Sequence, residues 1–178
     1  MPDAQVVVGN VVFRHDSTYM YCDSAYFYNQ MNSFEAFSHV RMEQGDTLFL
    51  YGDRLFYDGM SQIAQMRMNV RMENRTTTLL TDSLNYDRVY NLGYFFDGGT
   101  LMDEQNVLTS EWGEYSPATK QSVIQLQREC MVNPKFTLTS DTLGYKYCYQ
   151  DLRILSVLLI SGATINHIYS ERGIYNTQ

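Results

Sequence analysis

The stretch Asp46–Tyr57, DTLFLYGDRLFY, decides how this sequence folds, because degraded copies of it recur about every thirty residues. An acidic residue anchors each copy, and successive anchors are 29 or 30 residues apart. The six anchors are Asp23, Asp53, Asp82, Glu111, Asp141 and Glu171. A fixed period of this length is typical of stacked supersecondary units, each of which packs against its neighbours.

Apolar side chains keep fixed distances from these anchors. Three residues before each anchor lies an aliphatic residue or a methionine: Met20, Leu50, Leu79, Leu108, Leu138 and Ile168. Four residues after each anchor lies an aromatic residue: Phe27, Tyr57, Tyr86, Tyr115, Tyr145 and Tyr175. The second segment of each unit adds two more columns, which contain Val40 and Val70, and Met42, Met72 and Met102. We predict that all these columns face the inside of the stack.

The units are predicted to be pairs of β-strands. Between Ala64 and Met72, apolar and polar residues alternate strictly, which is the period of a strand and not of a helix. The segments between the strands are rich in Asn, Asp, Gly and Pro, as turns are. The sequence therefore predicts an all-β, solenoid-like stack of about 30-residue strand-turn-strand repeats. We expect one domain over residues 1–178, with a half unit at 1–14 and repeats that start near residues 16, 46, 76, 106, 136 and 166.

Each anchor strand is expected to bend near its acidic residue. A further column lies two residues after most anchors, as Leu55 and Leu84 do, and is five residues from the column before the anchor, which would place the two on opposite faces of a regular strand. A bulge or corner between them restores a common face. The bent strands would then form two facing sheets, and the space between them is either a packed core or an apolar groove.

Composition excludes several classes of function. The 13 basic residues against 20 acidic ones give a net charge of −7, which argues against nucleic acid and against an electrostatic membrane anchor. Cys22, Cys130 and Cys148 form no CxxC motif, so we predict neither a disulfide framework nor a zinc site, and their redox state stays open. The acidic column could be interpreted as catalytic carboxylates or as a calcium site. Recurrence in every unit favours a structural role, and we predict no enzyme, metal or cofactor.

The ends of the sequence carry two further expectations. No apolar run is long enough for a transmembrane helix, and the opening MPDAQ lacks the features of a signal peptide. The sequence begins with a half unit and stops at Gln178, directly after an anchor strand. We expect it to be a fragment of a longer protein whose export signal, if there is one, lies before residue 1.

Four local motifs resemble those of the OstA-like family, which includes the periplasmic lipopolysaccharide-transport protein LptA and the N-terminal domain of LptD. The motifs are Gly9-Asn10-Val11, Gln44–Asp58, Leu79–Asp87 and Ile168–Tyr175. The resemblance implies a β-jellyroll, also called a β-taco, in the periplasm, with a possible association with the outer membrane. It implies a non-enzymatic carrier that shields the acyl chains of lipopolysaccharide (those of its lipid A) in an apolar groove. It also implies partners of the same fold that join head to tail.

The resemblance assigns the lipid contacts to the inner columns. These residues are Met20, Phe27, Val40, Leu50, Tyr57, Val70, Met72, Leu79, Tyr86, Met102, Leu108, Tyr115, Leu138 and Tyr145. An alternative remains open: a structural or adhesive β-solenoid that acts through its unpaired sheet edges, without lipid cargo. Either protein could form homo-oligomers by edge-to-edge strand addition. The sequence leaves open which lipid is carried, whether the groove is open, and which partner binds each end.

Overall fold

The computed structural model is all-β, as the sequence predicts. It describes residues 4–15, 17–104 and 106–117 with their side chains, and further along the backbone of the strands within residues 121–176. Within the described residues, a short 3-10 turn at Asn29–Met31 interrupts an otherwise β succession. The first six strands are long: β1 Ala4–His15, β2 Thr18–Tyr28, β3 Ser33–Gln44, β4 Leu48–Asp58, β5 Ile63–Asn74 and β6 Thr77–Asp87.

Shorter strands follow, because the units beyond β6 are divided at their bends. They are β7 Leu92–Phe95, β8 Gly99–Met102, β9 Val107–Ser110, β10 Trp112–Ser116, β11 Gln121–Gln125, β12 Met131–Asn133, β13 Phe136–Ser140, β14 Thr142–Lys146, β15 Asp151–Ile154, β16 Leu158–Gly162, β17 Ile168–Ser170 and β18 Gly173–Asn176. The first anchor strands β2, β4 and β6 begin at residues 18, 48 and 77, which reproduces the spacing of the sequence repeat.

All strand pairs of the described residues are antiparallel. Strands β1 to β6 pair in chain order. The second half of β6 then pairs with β7 and its first half with β8. From there the short strands form two separate antiparallel series, one in each half-sheet. Their orders are β7-β10-β11-β14-β15-β18 and β8-β9-β12-β13-β16-β17. The two series continue the two halves of the bent long strands.

The bend lies at the acidic anchor, as the sequence predicts. The register between β4 and β5 shifts between Tyr51 and Arg54, on either side of Asp53. On β5 the opposite residues Met68 and Asn69 have positive φ angles of 62° and 52°. Ser38 and His39 of β3 repeat this geometry with φ angles of 62° and 52°. Two consecutive left-handed residues turn the chain sharply, and Asn and His are among the residues that tolerate this conformation best.

The bends divide the stack into two facing half-sheets with one hydrophobic core between them. Leu50, Leu79 and Leu108 come from one half-sheet, and Leu55 and Leu84 from the other; all five are buried in one cluster. From β4 to β10 this interior is a packed core, because its side chains are fully enclosed by their neighbours. The sequence did not decide between a packed core and an apolar groove. In the middle of the stack, the space between the half-sheets is a packed core.

Candidate functional site

An apolar cleft opens between the half-sheets at the β1 end of the stack. Its volume is about 290 Å³, close to the lower limit of about 300 Å³ for small-molecule sites. Its walls are mainly aromatic and methionine side chains, with a polar rim. The lining residues are Phe13, Arg14, His15, Thr18, Met20, Phe27, Asn32, Phe34, Met42, Tyr57, Gly59 and Arg88.

The cleft is built by strand register. Phe13 of β1 lies opposite Met20 of β2, and Met20 lies opposite Met42 of β3. In the other half-sheet, Phe27 lies opposite Phe34, which lies opposite Tyr57. Directly paired residues share a face of the sheet, so both rows point between the half-sheets. The first four strands of the stack thus place two apolar rows on opposite sides of the cleft.

Aromatic rings form the wall that joins the two half-sheets. The ring of Phe13 stacks on that of Phe34, with 4.9 Å between ring centroids and 7° between ring planes. Phe13 also stacks on Phe27 at 6.3 Å, and Phe34 is tilted against Tyr57 at 5.2 Å. All four rings are only partly buried. They offer flat apolar surface to a ligand without a change of the fold.

Two tight turns bring the floor of the cleft together. The amide of Gly59 donates a hydrogen bond of 2.9 Å to the carbonyl of Asn32 in the preceding turn. A Cβ atom at position 59 would lie 2.1 Å from that carbonyl oxygen. Only glycine allows the two turns to approach so closely, and this approach fixes the spacing of Phe34 and Tyr57 next to them.

Polar contacts hold the rim of the cleft. The guanidinium of Arg88, in the turn after β6, reaches across to the opposite half-sheet. Its Nη1 donates to the hydroxyl of Tyr57 at 2.7 Å, and its Nη2 donates to Oγ1 of Thr18 at 3.0 Å. Nη1 also lies 3.3 Å from Nδ1 of His15. Arg88 therefore marks the point where the open cleft meets the packed interior.

Beyond Arg88 the mouth of the stack is closed. Nδ2 of Asn74 donates to the hydroxyl of Tyr115 at 3.0 Å, and this bond joins the two half-sheets at their open ends. Tyr86 is also fully buried, and its hydroxyl donates to Oδ1 of Asn91. Burial raises the pKa of the Tyr86 phenol, which stays a neutral donor. Both tyrosines are core residues with satisfied hydroxyl groups.

The acidic anchors Asp23, Asp53 and Asp82 lie outside the cleft, at the bends. Oδ1 of Asp82 accepts a hydrogen bond of 3.2 Å from the backbone amide of Asn69, as expected for a residue that caps a bend. At the two preceding anchors a side chain is the partner: Asp53 accepts from Nδ2 of Asn69 at 2.5 Å, and Asp23 bonds to the ring of His39 at 2.7 Å. The bond to Asp23 raises the pKa of His39. Among the described residues, no group of three or more His, Cys, Asp or Glu could hold a metal ion.

The predicted lipid contacts fall into three groups. Met20, Phe27 and Tyr57 line the cleft. The side chains of Leu138 and Tyr145 lie outside the described residues. The remaining inner residues, apart from Met102, are buried in the core: Val40, Leu50, Val70, Met72, Leu79, Tyr86, Leu108 and Tyr115.

The prediction for Met102 was wrong by one residue. Leu79 pairs with Leu101, which is fully buried, whereas Met102 pairs with Thr78 on the outer face. The reason is a unit that is one residue shorter: Met72 of β5 corresponds to Leu101, 29 residues later, and not to Met102. In a strand a shift of one residue turns every side chain to the opposite face.

Sequence reasoning did not name Phe13, Phe34 or Arg88 as site residues. A signal for Phe13 was present, because Asn10–Phe13 aligns with Asn69–Met72 and so places Phe13 in an inner column. Phe34 could have been found from its pairing with Phe27 across the short turn. Arg88 lies in a turn, where the sequence pattern carries no information on the direction of a side chain.

Within the described part of the chain, no helical segment has the length and hydropathy needed to cross a membrane. A search of curated proteins finds no match to the chain. The family model described as OstA-like protein matches residues 1–141, well over half of the sequence. The chain therefore belongs to the OstA-like family.

Proposed function

We propose that this protein is a non-enzymatic periplasmic carrier that binds acyl chains of lipopolysaccharide in the cleft at the β1 end of its stack. Membership of the OstA-like family implies a role in the transport of lipopolysaccharide or lipid. The observation that carries the proposal for this chain is the open apolar cleft between Phe13, Phe27, Phe34 and Tyr57. Burial of apolar surface is non-directional, which suits a carrier that must also release its cargo.

The size of the cleft limits the cargo that one copy can hold. The volume of about 290 Å³ is at the lower limit for small-molecule sites, so we propose that one copy holds a segment of a single acyl chain. At ~0.8 kcal/mol for each buried methylene, such a segment supplies substantial affinity.

The cleft lies next to an edge strand that can accept a partner. Among the described strands, β1 pairs only with β2, so its other edge faces no further strand and can accept one. Its side chains Val6, Val8 and Val12 are exposed. A strand added to this edge by another jellyroll protein would extend the two half-sheets and the cleft between them. We propose that protein partners, or a second copy, join here.

The packed interior favours a second candidate function. Because the core is filled from β4 to β10, the protein could act as a structural or adhesive solenoid through the edge of β1 alone. In that case the cleft would be a terminal irregularity of the core, and no lipid would bind. The two functions differ in whether acyl chains bind to the isolated protein.

Binding of acylated and de-acylated lipopolysaccharide to the purified protein tests the proposal. Size-exclusion chromatography should show co-elution with intact lipopolysaccharide and none with the de-acylated glycan. The melting temperature should rise only with the intact form, since a ligand present at 100 times its Kd stabilises the folded state by about 2.7 kcal/mol. Equal behaviour of the two forms, or no co-elution with either, would instead support the structural solenoid.

A further inference from the structure

Arg88 occupies an unusual position for a charged side chain. It follows β6 in a turn whose backbone is fixed, since the Arg88 amide donates to the carbonyl of Gln62 at 3.2 Å. Its side chain leaves this turn, lines the apolar cleft and ends against Thr18 of the opposite half-sheet. The guanidinium carbon also lies 5.7 Å from the centre of the Tyr57 ring. The charge is therefore held at the rim of the aromatic cleft, on the side of the packed core.

None of the hydrogen-bond partners of Arg88 in the described residues is a carboxylate. They are the Tyr57 hydroxyl, the Thr18 hydroxyl and the His15 ring nitrogen. Its Nε is buried and has no acceptor in the described part of the chain. The neighbouring acid Asp87 is turned away, because its carboxylate accepts the amides of Val89 and Tyr90.

Three arginines on the outer faces of the same stack each pair with a glutamate. Arg54 pairs with Glu35 at 3.0 Å, and Arg71 pairs with Glu73 at 3.2 Å. Arg41 likewise pairs with Glu43. These three are on the outer faces, where water already screens their charge. The described residues include many carboxylates, yet the contacts of Arg88 are to a tyrosine, a threonine and a histidine.

A partly buried cation without a counter-ion is costly unless a ligand supplies the negative charge. The guanidinium group is planar and weakly hydrated, and it binds carboxylate and phosphate groups through pairs of N–H donors. The Nε of Arg88 is one such donor that still lacks an acceptor. Both carboxylate and phosphate groups occur at the heads of acyl-chain amphiphiles, directly beside the apolar chain.

We infer that the cleft selects anionic amphiphiles: the apolar chain lies among Phe13, Phe27 and Phe34, and an acidic head group, phosphate or carboxylate, binds Arg88. This inference rests on the proposed function, because it requires that the cleft holds an acyl chain. It adds that the protein recognises the negative charge of the head group, and that Arg88 is the side chain that binds it. A neutral amphiphile with the same chain is bound more weakly.

Titration calorimetry with single-chain probes below their micelle concentrations tests the inference. The probes share a twelve-carbon chain and differ in the head group: dodecyl phosphate, dodecanoate and the neutral dodecyl maltoside. The wild-type protein should bind at least one anionic probe tenfold or more tightly than the neutral probe. Tighter binding of dodecyl phosphate identifies a phosphate head, and tighter binding of dodecanoate identifies a fatty acid. Inorganic phosphate alone should bind at least tenfold more weakly than dodecyl phosphate.

Substitution of Arg88→Gln should reduce the affinity for the preferred anionic probe about tenfold, to the level of the neutral probe, and leave the neutral probe unaffected. Arg75→Gln removes the same charge from an exposed turn and is the matched control. If Arg88→Gln does not fold, the wild-type preference decides the question, together with a partial loss of affinity in Arg88→Lys.

Three results would overturn the inference, and they differ in what they say about the proposed carrier function. Equal binding of anionic and neutral probes by the wild type, or unchanged preference in Arg88→Gln, leaves the cleft as an acyl-chain site but removes the role of Arg88. Absence of binding for all three probes removes both the inference and the proposed function on which it rests.

Discussion

Replacement of Leu79 by aspartate is expected to abolish the cooperative unfolding transition of this protein, whereas the same replacement at Leu80 leaves it almost unchanged. Leu79 is 0% exposed and lies on the inner face between Met72 and Leu101. The change leaves a cavity, which costs about 2–5 kcal/mol, and buries an unpaired charge, which costs several more. The sum approaches the whole stability of an ordinary domain, about 5–15 kcal/mol.

Leu80 is the matched control because it is the next residue on the same strand. It is 40% exposed and lies on the outer face, opposite Arg71. An aspartate there remains hydrated and faces a cation, so the free energy of unfolding should change by less than about 0.5 kcal/mol. Thermal unfolding followed by circular dichroism compares the two variants. Equal melting temperatures would show that the alternation of inner and outer faces along β6 is wrong.

A second large effect is expected on lipid binding from Phe27→Asp. Phe27 lines the cleft, and its ring stacks on Phe13 at the wall between the half-sheets. A carboxylate in this place would have to lose its hydration whenever an acyl chain enters. The affinity for lipopolysaccharide should fall tenfold or more, which corresponds to at least about 1.4 kcal/mol of binding free energy.

Tyr26→Asp provides the control for this prediction. Tyr26 is the preceding residue on β2, is 41% exposed and packs edge-on against Phe37 on the outer face. Its replacement adds the same negative charge to the same strand outside the cleft, so lipid affinity should stay within a factor of two or three. Co-elution titrations of both variants, after their folding is verified by thermal unfolding, give the comparison. A larger loss for Tyr26→Asp would place the lipid on the outer face.

The sequence was sufficient to predict the strands, the bends and most of the inner faces. These features depend on local rules: period-two alternation, turn residues, and a break in parity beside each acidic anchor. The assignment of Met102 to the inner face failed because the unit there is 29 residues long. A repeat whose length varies by one residue does not determine which side chains of a strand face inward. Strand register, which places Leu101 against Leu79, settles that face.

The candidate site was less predictable than the fold. Phe27, Tyr57, Tyr86 and Tyr115 occupy the same column of the repeat, yet the first two line the cleft and the last two are buried in the core. The difference comes from position in the stack, because residues near β1 lack a further layer to cover them. Periodicity identifies the face of a side chain but not how completely its neighbours fill the space beside it. The direction of Arg88 depends likewise on contacts between distant strands.

Photo-crosslinking from inside the cleft tests the central claim most directly. A benzoyl-phenylalanine side chain is placed at Phe34 in one variant and at Phe37 in another; both are partly buried phenylalanines of β3 on opposite faces. After irradiation with lipopolysaccharide, the variant at position 34 should form a crosslinked adduct and the variant at position 37 should not. De-acylated glycan should give no adduct with either. Adducts at position 37 but not at position 34, or no acyl-dependent adduct at all, would contradict the account of an acyl-chain carrier.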